Sequence, residues 1–226
     1  MSHSANTARR KEGERLRQWN REALRYPFYV ILHPFNGYWD LKYERSRRLN
    51  LILSLAILCL LALTNILQTQ YSGFVVNLVY PDSINSLMEI VYVFVPVLFW
   101  CVANWSLTTL MDGEGKFRDI FASTCFALAP LVVIHFPWIW LSNVISLQEV
   151  PFYRFSTSVA LLWSAFLLFV GNMTVHQYSP MKTIGMIILT LVAMGFMAFL
   201  CLLFFSLIQQ IVSFVSIIYQ EIALRG

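Results

Sequence analysis

The sequence predicts an all-α membrane protein: a bundle of five transmembrane helices with an N-terminal cytoplasmic amphipathic or interfacial segment. Its composition is 58% hydrophobic and only 12% charged, whereas soluble domains carry about 25% charged residues. Five apolar runs are long enough to cross a bilayer. Fourteen of the 16 Lys and Arg residues lie in the first 48 residues, in the stretch Asp112 to Asp119, or at Lys182. This segregation of basic residues is typical of multi-span membrane proteins.

The first 48 residues form a basic N-terminal region with eleven Lys or Arg and five acidic residues. Within it, Leu16, Trp19, Ala23 and Tyr26 recur at spacings of three, four and three. This spacing fits a surface helix that rests on the membrane, and it equally fits an ordinary solvated helix. The positive excess predicts contact with anionic lipid headgroups at the cytoplasmic side. No nucleic-acid recognition motif is present, so no nucleic-acid partner is expected.

The segment from Tyr26 to Glu44 is rich in aromatic side chains and comes just before the first apolar run. It is too short, and contains too many prolines, to span a bilayer. Six aromatic residues lie between Tyr26 and Trp39. Because amphipathic rings settle among lipid headgroups, the segment is expected in that belt.

The transmembrane domain is expected over residues 49–220, with spans at about 49–67, 90–111, 120–141, 155–175 and 183–206. The last uncharged run, from Thr183 to Gln220, is too long for one upright span, because as a single helix it would extend about 57 Å. A polar-striped helical extension is therefore predicted over residues 207–222. Its Gln209, Ser213, Ser216 and Gln220 share one helical face. This extension either continues with the stripe turned toward the protein or bends into the membrane interface.

The loops between the spans predict the orientation of the chain. The loop from Gln68 to Glu89 contains no Lys or Arg, whereas the loop at 112–119 contains Lys116 and Arg118. Lys182 precedes the last span, and Arg154 is the only basic residue in the loop before the fourth. Basic loops lie on the cytoplasmic side. The N-terminus is therefore expected in the cytoplasm and the C-terminus outside.

Three polar side chains within the spans are candidates for function. Asn104 and Asn172 lie near the ends of spans two and four, in the similar strings Val102-Ala-Asn104-Trp-Ser106 and Val170-Gly-Asn172-Met-Thr174. They either form hydrogen bonds between helices or line a polar cavity. His135, in span three, is either a satisfied core residue or a functional ionisable group.

The sequence contains no recognisable catalytic or metal-binding motif. The four cysteines all lie in apolar runs without metal-ligand spacing, which is typical of reduced core thiols. The string Asp112-Gly-Glu-Gly-Lys116 lacks the spacing of a phosphate loop and predicts a tight turn between helices. Neither an enzymatic activity nor a cofactor is expected.

Two motifs resemble those of the Yip family of five-pass membrane proteins, and its bacterial branch most closely. They are the pre-membrane segment His33-Pro-Phe-Asn-Gly-Tyr-Trp-Asp-Leu-Lys-Tyr43 and the stretch Asn104-Trp-Ser-Leu-Thr-Thr-Leu-Met-Asp-Gly-Glu-Gly115. In eukaryotes the resemblance implies a vesicle-traffic scaffold that binds prenylated small GTPases. The Asp-Leu-Tyr-Gly-Pro motif of eukaryotic members is not present in this chain. For the bacterial branch the resemblance implies no established reaction.

The favoured hypothesis is a non-enzymatic scaffold or accessory protein of a bacterial plasma membrane. It would act through its cytoplasmic face on another membrane protein or on copies of itself. The alternative is a small transporter or channel with a polar cavity near Asn104 and Asn172. The predicted interaction surface comprises residues of the two motifs and the basic loop: His33, Pro34, Phe35, Gly37, Tyr38, Trp39, Asp40, Asp112, Glu114, Lys116 and Arg118.

Overall fold

The computed structural model of the protein describes residues 25–77, 85–108 and 110–225, with side chains as far as residue 221. The amphipathic segment predicted over residues 9–26 lies almost wholly outside the described residues. Eight α-helices and one 3₁₀ turn are present in the described part: α1 (residues 25–32), α2 (Pro34–Tyr43), α3 (Arg47–Tyr71), α4 (Ser86–Thr108), α5 (Phe117–Ala127), α6 (Ala129–Leu141), the 3₁₀ turn Leu147–Glu149, α7 (Val150–His176) and α8 (Pro180–Arg225).

Five helical segments are long and apolar enough to cross a membrane, which confirms the predicted fold class. They correspond in order to α3, to α4, to α5 with α6, to α7 with its 3₁₀ turn, and to α8. The second spanning helix, α4, ends at Thr108, whereas the sequence predicted that this span continues to Met111. It ends early because the chain turns at this point. The Leu107 carbonyl accepts from the N–H groups of Leu110 and Met111, and the Thr108 carbonyl accepts from the N–H group of Gly113.

The third span is two helices rather than one. α5 ends at Ala127 and α6 begins at Ala129, with Leu128 between them. Pro130 has no N–H, so the helical hydrogen bond to the carbonyl of Phe126 cannot form. The last turn of α5 is instead tightened to a 3₁₀-type hydrogen bond, in which the Leu128 N–H donates to the Cys125 carbonyl at 3.2 Å. Together the halves still cover Phe117–Leu141.

The aromatic segment before the first span does not lie only at the headgroup level. α1 and α2 form a short helical hairpin in which Val30 and Tyr38 are fully buried. The indole N–H of Trp163 donates to the Ile31 carbonyl at 3.2 Å, and Trp163 precedes the end of α7 by 13 residues. That separation is about 20 Å along the helix. The hairpin tip therefore reaches about the middle of a hydrocarbon core that is about 30 Å thick.

Backbone carbonyl groups of the hairpin accept hydrogen bonds both from within the hairpin and from the bundle. The Tyr26 hydroxyl donates to the Gly37 carbonyl at 2.7 Å, and the Asn50 carboxamide donates to the Leu41 carbonyl at 2.8 Å. Glycine at 37 allows the two helices to touch, since a Cβ there would lie 3.0 Å from the Val30 Cα. Backbone at membrane depth must be satisfied within the protein. This element is a re-entrant hairpin.

The two ends of the bundle differ in charge. The end that carries residues 44–48, 110–116 and 177–179 is called here the basic end. It carries most of the described Lys and Arg side chains, among them Lys42, Arg45, Arg47, Arg48, Lys116, Arg118 and Lys182. The opposite end carries residues 72–77 and 142–146, with Arg154 near it.

α8 continues without interruption to Arg225, and its 46 residues extend about 69 Å. Every described side chain from 199 to 221 is exposed. The extension predicted after Ser206 is thus helical, but its polar stripe does not turn toward the protein. The Ser216 hydroxyl, for example, donates only to the Ser213 carbonyl of its own helix.

Candidate functional site

A buried polar hub centred on Asn104 joins three of the spanning helices. The Asn104 side chain in α4 is fully buried. Its Nδ2 donates to Asn172 Oδ1 in α7 at 3.1 Å and lies 3.4 Å from Thr190 Oγ1 in α8. His176 Nε2, at the end of α7, lies 2.7 Å from Asn104 Oδ1. One carboxamide therefore links α4, α7 and α8, as the interhelical interpretation of Asn104 and Asn172 expects.

The hydrogen bonds of the hub assign its protons. Asn104 uses its two N–H hydrogens toward Asn172 and Thr190, and a carboxamide oxygen only accepts. His176 Nε2 must therefore carry a hydrogen and donate it. The Thr190 hydroxyl donates to the Met186 carbonyl at 2.7 Å, so its oxygen is free to accept from Asn104. The hub forms a consistent network of neutral groups.

Helical spacing brings the hub residues onto inward faces. Asn172 and His176 are four residues apart in α7, so they lie on the same face. Thr183 and Thr190 are seven apart in α8, and both are fully buried. Sequence reasoning placed His176 at the start of the cytoplasmic stretch that runs to Lys182, but it did not select the residue as a partner of Asn104, because His176 lies at the end of a span. Its spacing from Asn172 is the signal that would have found it.

The loop between α4 and α5 packs directly on the hub. A Cβ at Gly113 would lie 2.3 Å from the Tyr178 hydroxyl oxygen and 2.7 Å from His176 Nδ1, and a Cβ at Gly115 would lie 2.6 Å from His176 Cε1. Both contacts are too close for any side chain. Asp112 turns the loop toward the hub with a left-handed φ of 51°. The Gly-Glu-Gly string is therefore a lid of backbone over His176.

Tyr178 connects the hub to the surface. Its ring stacks on His176 with centroids 5.1 Å apart and an interplanar angle of 12°. The Lys182 ammonium lies 4.6 Å from the centroid of the Tyr178 ring. Burial raises the pKa of the Tyr178 phenol above its usual value, and the carboxylate of Asp112 adds to the effect. The phenol consequently stays neutral beside the cation.

An ion pair joins the hairpin to the same loop. Lys42 Nζ at the end of α2 lies 3.2 Å from Glu114 Oε2. The Lys42 side chain is 9% exposed and that of Glu114 64%. The re-entrant hairpin, the 110–116 loop and the end of α7 therefore meet at the basic end.

The predicted interaction residues fall into separate places. Asp112, Glu114, Lys116 and Arg118 are exposed at the basic end. Gly37 and Tyr38 are buried against the bundle, so they cannot offer a surface to a partner. His33, Pro34 and Phe35 lie at the far tip of the hairpin, one length of α2 from Lys42. Trp39 and Asp40 lie along α2 between the tip and the basic end, and Trp39 is half-exposed.

His135 is not part of the hub. It lies in α6 and is partly buried, and its Nε2 has no hydrogen-bond partner among the described residues. The bundle has a groove of about 320 Å³ between α2 and the end of α7, and an apolar groove of about 430 Å³ between α1, α3 and α6. Neither groove is lined by His135, Asn104 or Asn172.

Comparison with known proteins places this architecture in a family. Residues 28–203 match the family model of the Yip1 domain. The chain belongs to the Yip1 family. The match covers most of the re-entrant hairpin, the first four spans and the whole hub of this Yip1-family protein, and it stops within the exposed part of α8, the fifth span. No curated protein and no solved structure shows a significant match.

The chemistry available to the hub is hydrogen bonding between neutral groups. Among the described residues no group of three or more His, Cys, Asp or Glu could hold a metal ion. Cys101 and Cys125 are buried and Cys59 and Cys201 are exposed on helices, all as free thiols. The hub is suited to fixing the relative positions of α4, α7, α8 and the 110–116 loop.

Proposed function

We propose that this Yip1-family protein is a non-enzymatic membrane scaffold that docks a partner membrane protein at its basic end. The Lys42–Glu114 ion pair supports the proposal most directly, because it ties the hairpin to the 110–116 loop at 3.2 Å. The same loop packs on His176 at the end of α7, so three segments that are remote in sequence form one surface. A partner that recognises this surface would contact all three at once.

The surface has the chemistry of a docking site. Asp112, Glu114, Lys116 and Arg118 expose charges of both signs within one short loop. Mixed charges favour specificity and association rate, because a partner with the complementary pattern is attracted and a mismatched partner is repelled. We propose that the basic end faces the cytoplasm of a bacterium, in line with the bias of Lys and Arg in its loops.

Rigidity is the second requirement of a scaffold, and the hub supplies it. The loop backbone at Gly113 and Gly115 packs on His176, which is bonded to Asn104. A loop held in this way loses little conformational entropy when a partner binds, so more of the interaction energy becomes affinity. In this proposal the hub holds the 110–116 loop in the conformation that binds the partner.

Photo-crosslinking in native membranes tests the proposal. A photoreactive amino acid at Lys116 should capture one discrete partner, and the same group at Val144, which is 87% exposed at the opposite end, should not. Replacing both Glu114 and Arg118 by Gln should abolish capture while the protein remains in the membrane. Equal capture from Lys116 and Val144, or capture that survives the double replacement, would overturn the scaffold role.

A variant of Asn104, compared with the loop variants, separates the scaffold from a transporter. A transporter with its path near Asn104 and Asn172 requires that Asn104→Leu abolish solute flux while the protein is still folded. A scaffold requires that crosslinking from Lys116 fail whenever the loop is altered, and it requires that the unaltered protein carry no solute flux. Solute flux that depends on Asn104 would favour the transporter.

A further inference from the structure

We infer that the groove between α2 and the end of α7 is a binding site for one anionic phospholipid of the leaflet at the basic end. Phe35, Asn36 and Trp39 form one wall, and Met173, Thr174, Gln177 and Tyr178 form the other. Its volume of about 320 Å³ is at the lower end of the range of small-molecule sites. The inference does not depend on the docking surface proposed above.

On both walls the apolar side chain lies farthest from the basic end and side chains with polar groups follow it. Along α2 the order toward the basic end is Phe35, Asn36 and Trp39, and along α7 it is Met173, Thr174 and Gln177. A phospholipid has the same order, with an acyl chain, ester groups and then a phosphate. An aromatic side chain that is half-exposed at membrane depth, as Trp39 is, is typical of the headgroup boundary.

A cation lies next to the polar end of the groove, on the ring of Tyr178. Lys182 Nζ is 4.6 Å from the centroid of the Tyr178 ring, which closes the polar end of the groove. Lys182 is half-buried and forms no ion pair with any described residue. Lys42, at the end of α2, already pairs with Glu114. Charge complementarity therefore selects an anionic headgroup over a zwitterionic one.

An unbonded carboxamide stands where the ester groups would lie. Asn36 forms no hydrogen bond with any described residue, whereas Gln177 Nε2 donates to the Thr174 carbonyl at 2.9 Å. Thr174, on the other wall of the groove, is two residues from the end of α7. An amide at this depth is costly without a partner. A glycerol ester carbonyl would accept its N–H.

Native mass spectrometry of the full-length protein tests the site. The protein is released from nanodiscs of palmitoyl-oleoyl phosphatidylcholine that contain one part in ten of the corresponding phosphatidylglycerol. One phosphatidylglycerol should remain bound. Lys182→Gln should lower its retention about fivefold. Lys116→Gln, which removes the same charge from the same end of the protein, should leave retention unchanged.

A second measurement locates the lipid. Phosphatidylglycerol with a photoreactive group in its acyl chain should label the peptides that contain Phe35 and Met173, and Trp39→Ala should remove that labelling. Equal effects of the two lysine variants would overturn the inference. Labelling confined to other helices, or a co-purifying peptide or second copy of the chain in the groove, would also overturn it.

Discussion

His176 and Asn104 are 72 residues apart in the chain, and their side chains meet at 2.7 Å in the interior. This contact fixes the end of α7 against α4 and supports the loop that leaves α4. Because His176 donates and Asn104 accepts, Asn104 keeps both its N–H hydrogens for α7 and α8. A single buried carboxamide thus organises the basic end of the bundle.

The Asn104–Asn172 hydrogen bond should be measurable as a coupling energy. We expect Asn104→Ala and Asn172→Ala to be non-additive in the free energy of unfolding, with a coupling of about 0.6 to 1.7 kcal/mol. The reason is that both single variants remove the same 3.1 Å hydrogen bond. Reversible unfolding of the purified protein in mixed micelles measures all four members of the cycle.

Asn143 provides the matched control for that cycle. It lies at the opposite end, where its Nδ2 donates to the Tyr71 and Ile139 carbonyls. Asn104→Ala combined with Asn143→Ala should be additive, since the two residues share no partner. A coupling between Asn104 and Asn172 no larger than this control would show that the hydrogen bond stabilises nothing.

Gly113 in the 110–116 loop should tolerate no side chain. Gly113→Ala places a Cβ 2.3 Å from the Tyr178 hydroxyl oxygen and 2.7 Å from His176 Nδ1. We expect a loss of about 1–3 kcal/mol in the free energy of unfolding, because the loop must lift from His176. The midpoint of thermal unfolding in detergent, followed by circular dichroism, provides the measurement.

Gly185→Ala is the control for the loop glycine. Nothing lies within 4 Å of a Cβ at Gly185, which is inside α8. Alanine is the better helix former, so this variant should be unchanged or more stable by up to about 1 kcal/mol. If Gly113→Ala behaved like Gly185→Ala, the loop would not be packed on the hub.

The ion pair between Lys42 and Glu114 should contribute little to stability. Glu114 is 64% exposed, so water and salt screen the attraction. A double-mutant cycle with Lys42→Gln and Glu114→Gln should give about 0.2–1 kcal/mol, falling as sodium chloride is raised. A larger coupling that is insensitive to salt would mean that the pair is shielded from solvent.

The sequence predicted the five spans because each is a long uncharged run, and such runs have few alternatives in a bilayer. It also brought Asn104 and Asn172 forward, because a carboxamide in an apolar helix needs a partner. It did not predict the partner of Asn104 at His176, since that contact depends on how α4 and α7 pack.

The composition of the sequence also did not distinguish a hairpin inserted in the bundle from a segment at its surface. The aromatic residues of Tyr26 to Trp39 suit both places, and the donors from Asn50 and Trp163 decide between them.

The re-entrant hairpin should protect its tip from water. Leu32 is 72% exposed on the protein surface, but at the depth of Trp163 that surface faces lipid. In a background in which the four native cysteines are replaced by Ala, Leu32→Cys should react with a membrane-impermeant maleimide from neither side of intact membranes. It should react fully once the membranes are dissolved in SDS.

Two exposed positions calibrate this experiment. Glu114→Cys should be labelled from one side and Val144→Cys from the other, because they lie at opposite ends of the bundle and are 64% and 87% exposed. Labelling of Leu32→Cys at the rate of Glu114→Cys would place the hairpin at the headgroups and not in the bundle. Protection of Leu32→Cys with rapid labelling of both reference cysteines is the result that only a re-entrant hairpin gives.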